Sequence, residues 1–185
     1  MADLIYAANM SLDGCTEDAH GAFDWAPPDD DVFEFITGLM RSAGTYLYGR
    51  RMYETMSPWE TEPDLADTSP FARTFAEVWQ APDKVVYSST LESAPTEHTR
   101  IQRSFDADEV RKLKETAGHD LLVGGPTLAA EAFRAGLVDQ CHLLVWPVLL
   151  GGGKPALPAD VRADLELVEQ RKIGNGVVYL HHRVH

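Results

Sequence analysis

Cysteine is nearly absent: Cys15 and Cys141 are the only two in 185 residues. That excludes a framework of several disulfides, and no Cys and His fall at a zinc-ligand spacing. Each cysteine is read as a small apolar filler. Long apolar runs are missing too. The longest, Leu143–Leu150, is broken by Pro147 and falls short of the roughly 20 residues a membrane-spanning helix needs. The chain opens Met1-Ala2-Asp3-Leu4, with neither the basic region nor the cleavage pattern of a signal peptide, so the cytoplasm is the expected compartment. Basic residues are scarce. Sixteen Lys and Arg against 29 Asp and Glu give a formal charge of −13, which argues against a nucleic-acid partner because such binding needs basic surface to displace counterions. Local charge can still favour an anion, and in this acidic background Arg50 and Arg51 stand side by side.

Several catalytic signatures are lacking as well. There is no GxGxxG and no GxSxG, and Gly151-Gly152-Gly153-Lys154 is followed by Pro155 where a P-loop requires Ser or Thr. His181 and His182 are neighbours in an apparent strand and point to opposite faces, so no metal site is expected.

What is present reads as one globular α/β domain over residues 1–185. Its 44% hydrophobic content and its length suffice to bury about two-thirds of the surface of the unfolded chain. Strand-like and helix-like segments alternate. Leu4–Ala8 is a strand closed by Asn9 and the turn Ser11-Leu12-Asp13-Gly14. Asp29–Ala43 carries a helical apolar stripe (Val32, Phe33, Phe35, Ile36, Leu39, Met40) behind three aspartates. Thr45–Tyr48 is a strand, and Ser69-Pro70 opens a helix with Phe71, Phe75, Val78 and Trp79 on one face. Lys84–Tyr87 and Thr99–Gln102 read as strands, and Asp106 with Glu109 as a capping pair. Asp120–Val123 is a strand, Pro126 to Ala135 a helix stopped by Gly136, and Gln140–Val148 the longest strand. Leu165–Ile173 and Val177–Val184 flank Asn175-Gly176, a strong hairpin signal. The acidic segment Met56–Ser69 reads as irregular, either a lid or a solvated connection. The order predicts a mixed, mostly parallel sheet with helices on both faces and a C-terminal antiparallel hairpin.

Three strand ends carry groups suited to phosphate or ribose. At Gly124-Gly125-Pro126-Thr127 a strand meets two glycines and then a helix; glycines admit close backbone approach, and the helix start offers free N–H groups. The same residues also make a tight turn without any ligand. At Gly49-Arg50-Arg51 two guanidinium forks suit an anion such as a ribose 2′-phosphate, or simply bridge nearby acids. Ser88-Ser89-Thr90 places small hydroxyls at the carboxyl end of a strand, where α/β ligands bind and where turns also need them.

Read with their flanks, these junctions resemble the dihydrofolate reductase-like superfamily. They are closer to stand-alone relatives of the reductase domain of bifunctional riboflavin-biosynthesis deaminase/reductases. The residues that carry the resemblance are Met10–Gly14, Asp24-Trp25, Gly49–Glu54, Val86–Leu91, Gly124–Leu128, Gly136–Asp139 and Pro147–Pro155, in the expected order over almost the whole chain. The resemblance implies an NADPH-dependent reductase of a small heterocycle such as a pterin or pyrimidine. Gly49, Arg50, Arg51, Ser88 and Ser89 would then hold the adenosine half of NADPH, with the arginines near its 2′-phosphate. Gly124, Gly125, Pro126 and Thr127 would hold its pyrophosphate, and Ala8 would border its nicotinamide. Trp25, Phe33 and Tyr53 would line the substrate pocket. No zinc-deaminase motif precedes the domain in these residues, which points to a stand-alone reductase.

Reduction of C=N or C=O also needs a proton. By the resemblance, Asp30 or Asp31, shortly after Trp25, takes the place of the acid that orients a pterin; all three aspartates there equally suit a helix N-terminus. Asp13 is a competing candidate, although its residue type suits a tight turn. An alternative is a non-catalytic nucleotide- or flavin-binding module of the same fold. A homodimer is expected if the apolar strand Leu143–Val148 and the terminal hairpin form a self-complementary face.

Overall fold

Two-residue alternation along each strand sends apolar side chains to both faces of one sheet, so helices are needed on both. The computed structural model describes residues Met1–His185. It begins with β1 (Leu4–Ser11), a three-residue strand β2 (Cys15–Glu17), α1 (Asp30–Arg41), β3 (Ala43–Gly49) and α2 (Arg50–Met56). Two single-turn helices, α3 (Pro58–Thr61) and α4 (Pro63–Ala66), lead into α5 (Pro70–Gln80), β4 (Asp83–Tyr87), β5 (Thr99–Gln102), α6 (Ala107–Thr116) and β6 (Asp120–Gly124). The chain ends with α7 (Pro126–Arg134), β7 (Gln140–Trp146), the short β8 (Lys154–Pro155), and a hairpin of β9 (Leu165–Lys172) and β10 (Val178–Val184).

The main sheet runs β5-β4-β3-β6-β1-β7-β10-β9. Its first six strands are parallel, and the last two pair antiparallel. On one face Tyr6, Leu47, Val85, Leu121 and Val123 pack against Val110 of α6 and Leu128, Ala132 and Phe133 of α7. On the other, Tyr46, Tyr48, Val86 and Leu122 meet Met40 of α1, Tyr53 and Met56 of α2, and Phe75 and Trp79 of α5. The mixed sheet, the two helical layers and the terminal hairpin match the sequence expectation.

Local signals explain the element ends. The Asp29 side chain accepts from Val32 N at 3.0 Å, Ser69 from Ala72 N at 3.0 Å, and Asp106 from Asp108 and Glu109 N, so each is an N-cap. Asn175 and Gly176 both have positive φ, 54° and 73°, inside the three-residue turn Gly174–Gly176 that joins β9 to β10.

Three expectations change. Met56–Ser69 is not irregular; Pro58 and Pro63 each start a helical turn, and α3 and α4 pack against α5. A two-stranded sheet of β2 and β8 was invisible in the sequence because strands this short show no periodicity. The strand β7 lies between β1 and β10, so it offers no outer edge to a second subunit. The exposed apolar residues at that end are Leu165, Leu167 and Val168 of β9, the edge strand, and Val178.

His142 of β7 and His181 of β10 are register partners with stacked rings 4.1 Å apart. His142 Nδ1 and the Tyr179 hydroxyl are hydrogen-bonded at 2.6 Å. Burial, aided by the His181 ring, lowers His142 from 6.5 to about 4. The folded state therefore holds this ring neutral where the unfolded chain already takes a proton. Its contribution is intact above pH 6.5 and is lost as pH falls through about 4, with an upper bound of about 3 kcal/mol. Urea denaturation across that range should show less acid destabilisation in His142→Gln than in the parent; an unchanged pH slope would place the acid sensitivity elsewhere.

Candidate functional site

Because β3, β6 and β1 are adjacent and parallel, their carboxyl ends reach the same edge of the sheet. A cavity of about 640 Å³ opens there. Its floor includes Ala7, Ala8 and Asn9 of β1, Tyr48 and Gly49 of β3, and Leu122 and Gly124 of β6.

Glycine at 124 is a packing requirement. Tyr48 and Gly124 are register partners, and a Cβ on Gly124 would stand 2.5 Å from Tyr48 Cε1 and 3.3 Å from Met52 Cγ. Gly125 has φ +90°, a left-handed backbone, and its Cβ would meet Met52 Cβ at 3.3 Å. The chain turns there into α7, whose start has Pro126 in the first turn and no side-chain cap. The opening N–H groups of a helix have no partner within it, so the bare start of α7 presents donors and partial positive charge to the cavity. Gly124, Gly125, Pro126 and Thr127 all line it. Gly49 differs, since its φ is −73° and a Cβ there would meet only Leu128 Cβ at 4.0 Å.

The two arginines line the same cavity with different duties. Arg50 Nε pairs with Glu54 Oε1 at 2.7 Å, and its Nη1 donates to Thr90 Oγ1 at 2.7 Å. It thus ties the Gly49–Arg51 turn to the Ser88–Thr90 loop. Arg51 reaches the opposite way, pairing with Glu17 Oε2 of β2 at 3.0 Å and donating to the Gly21 carbonyl at 3.0 Å. A Cβ on Gly21, where φ is +82°, would come within 2.8 Å of Arg51 Nη2. Arg51 is therefore a clasp between α2 and the loop after β2.

Trp25 and Phe33 line the cavity, as the sequence suggested, but Tyr53 does not. Tyr53 is buried with its hydroxyl 2.8 Å from Thr96 Oγ1, so it is a packing residue. Ser88 is buried, its Oγ accepting from Leu91 N at 3.0 Å, which shapes the loop that Arg50 touches; Ser89 is exposed, and neither lines the cavity.

The acids named as proton donors stand outside the cavity. Asp30 and Asp31 are exposed on the first turn of α1, where they favour the helix start. Asp13 is also off the lining. The Ser11 hydroxyl and the N–H groups of Leu150 and Gly151 hold its carboxyl at about 2, so it is an ionised anchor for the 147–153 loop. Sequence reasoning missed the carboxylates that do reach the lining, Glu17 and Glu131, and missed Lys154 beside them. Neither glutamate lies in a motif, and Lys154 ends the glycine run without having been assigned a role. The apolar part of the lining includes Ile36, Leu39 and Met40. Their helical stripe was visible, but nothing in it separates core from cavity wall.

Replacing Gly124 by Ala forces Tyr48 and Met52 to move and should cost about 1–3 kcal/mol, whereas Gly49→Ala should fall well below that. Equal losses in chemical denaturation would mean that Tyr48 yields without cost.

The RibD C-terminal domain family matches residues 2–179. The uncharacterized protein YyaP of Bacillus subtilis (strain 168) is 31% identical over 176 residues, which is 92% of this chain and 89% of that protein. A solved structure of a Shewanella sp. PV-4 protein named for riboflavin biosynthesis superposes with TM-score 0.78 at 18% identity, over all of this chain and 99% of that one. The Thermotoga maritima diaminohydroxyphosphoribosylaminopyrimidine deaminase/5-amino-6-(5-phosphoribosylamino)uracil reductase gives 0.67 at 14% identity; this chain spans 57% of that longer protein.

Proposed function

The chain belongs to the RibD C-terminal domain family, and from that premise we propose that it is an NADPH-dependent reductase of a small heterocyclic compound. One observation carries the reading: the uncapped start of α7, the Arg50-bearing start of α2 and the end of β1 border one cavity. Gly124–Thr127 would hold the pyrophosphate, as helix starts hold other phosphates. Gly49 and Arg50, with the Ser88–Ser89 loop behind them, would hold the adenosine half, and Ala8 would border the nicotinamide. Arg50 is the better 2′-phosphate ligand of the arginine pair. Its link to Glu54 is an exposed i,i+4 pair of little net strength and yields readily to a phosphate, while Arg51 is engaged by Glu17 and Gly21.

NADPH bound there would supply a hydride to the carbon of a C=N or C=O bond. The nitrogen or oxygen then takes a proton from water at the rim, because the strand floor carries no carboxylate. Arg50→Ala should weaken NADPH binding about tenfold or more and leave NADH binding unchanged, narrowing the preference. Arg51→Ala should weaken both alike. Calorimetric titration of both cofactors checks this, and an intact preference in Arg50→Ala would sink the 2′-phosphate assignment.

The same missing floor acid favours a second reading, a non-catalytic nucleotide- or flavin-binding module. NADPH oxidation with any added pterin or pyrimidine acceptor rejects the module; failure to bind NADPH rejects the reductase.

A homodimer through β9 belongs to the proposal. This edge strand exposes Leu165, Leu167 and Val168. A two-fold antiparallel pairing of β9 with itself, centred between Val168 and Glu169, sets Glu166 across from Arg171. Leu167→Asp should shift the protein from dimer to monomer in sedimentation velocity. A parent that already sediments as a monomer rejects this interface.

A further inference from the structure

We propose that the substrate half of the cleft takes an uncharged, planar ring compound with a carbonyl or ring-nitrogen acceptor, and discriminates against phosphorylated ones. This rests on the reductase reading, which assigns the other half to the cofactor.

The walls carry the argument. Phe33, Ile36 and Met40 of α1, Met56 of α2, Phe75 of α5 and Trp25 before α1 all line the cavity. The Phe33 and Phe75 rings are 5.1 Å apart, so one wall is a packed aromatic surface. Charge is excluded by helical phase. Asp30, Asp31, Glu34 and Arg41 of α1 and Arg73 and Glu77 of α5 all stay off the lining. The strand floor adds no charged side chain either.

No charged lining residue stands on α1, on α5 or on the strand floor. Arg50 and Arg51 stand on α2, Glu131 on α7, and Glu17 and Lys154 face one another as register partners in the small sheet. Arg51 is neutralised by Glu17, and Arg50 serves the cofactor in the reading above. Lys154 alone would remain for a substrate anion, and it lies outside the aromatic wall. A phosphate drawn between Phe33 and Met40 would have no cation on those walls, and desolvating it there is prohibitive.

One polar group on the floor selects the ring's edge. The Trp146 indole N–H donates to Asn9 Oδ1 at 2.9 Å. That bond fixes the amide, because an indole N–H can only donate. The Asn9 NH₂ has no acceptor in the chain and lies on the cavity lining, so it presents a donor. Its partner is an acceptor on the ligand, a ring carbonyl or ring nitrogen.

The flavin series isolates the class, because riboflavin and FMN share the isoalloxazine ring and the ribityl chain and differ only by a phosphate, while lumichrome is the bare tricycle in its alloxazine form. Calorimetry with saturating NADP⁺ should give riboflavin and lumichrome each binding at least tenfold tighter than FMN. Asn9→Asp keeps the acceptor for Trp146 and removes the donor, and should weaken lumichrome fivefold or more; Phe33→Ala should do the same by opening the wall. FMN binding as tight as lumichrome, or lumichrome binding indifferent to both substitutions, overturns the proposal. Failure of NADP⁺ to bind defeats the reductase reading instead, and the same series run without cofactor still decides the ligand class.

Discussion

The cleft depends on the close approach of the Tyr48 ring to Gly124. Parallel register sets these residues side by side on β3 and β6, and the ring occupies the space a side chain at 124 would need. The buried ring cannot withdraw easily. Its hydroxyl faces the Trp79 indole, and burial pushes the phenol far above its ordinary range. Met52 closes over both glycines from α2. Tyr48, Gly124, Gly125 and Met52 together fix how closely the starts of α2 and α7 approach. The gap left between them is the part of the cavity proposed for the cofactor.

An acidic protein holds this site by sorting its charges. Asp30, Asp31 and Glu34 face outward along α1, and Asp13 is committed to the N–H groups of Leu150 and Gly151. The anion site proposed above uses backbone donors at α7 and Arg50, neither of which requires a basic surface. On the far side a buried lysine meets a half-buried carboxylate. Lys114 of α6 is buried and donates to Asp139 and to the Leu137 carbonyl at 2.9 Å, while Asp139 also accepts from Leu4 N at 2.6 Å. That arrangement pins the start of β1 to the segment entering β7 and so sets the level at which β1 ends beside the cavity. Removing Asp139 leaves a buried ammonium without its partner, a worse outcome than removing both.

The sequence revealed whatever depends on backbone. Gly124-Gly125-Pro126, the caps at Ser69 and Asp106, and the Asn175-Gly176 turn are local signals that the structure keeps. Long-range side-chain choices were hidden. The i,i+4 pair of Arg50 with Glu54 is local, but the contacts of Arg50 with Thr90 and of Arg51 with Glu17 lie 40 and 34 residues away in opposite directions and leave no local sign. Tyr53 sits in the same helical turn as the arginines yet points inward to Thr96. The aspartates before α1 look catalytic in a string of residues, but helical phase carries Asp30 and Asp31 out of the cavity while Phe33 and Ile36 turn in. The small sheet of β2 and β8 brings together residues 15–17 and 154–155, a pairing no periodicity announces.

That division has a consequence for how such a site can change. The half of the cavity proposed for the cofactor is set by glycines, register and a helix start, so most substitutions there disturb the sheet itself. The substrate half is set by side chains on α1 and α5 and by the β2–β8 pair, which the Ser11–Gly14 turn and the 147–153 loop hold in place through Asp13 and the Leu12 N–H to Val148 carbonyl bond of 2.8 Å. Changing Phe33, Ile36 or Glu17 alters what the pocket accepts without touching the Tyr48–Gly124 contact. On the reductase reading, the fold can therefore keep its glycine-lined edge while the neighbouring pocket is rebuilt, and the ligand is argued from that pocket's own residues.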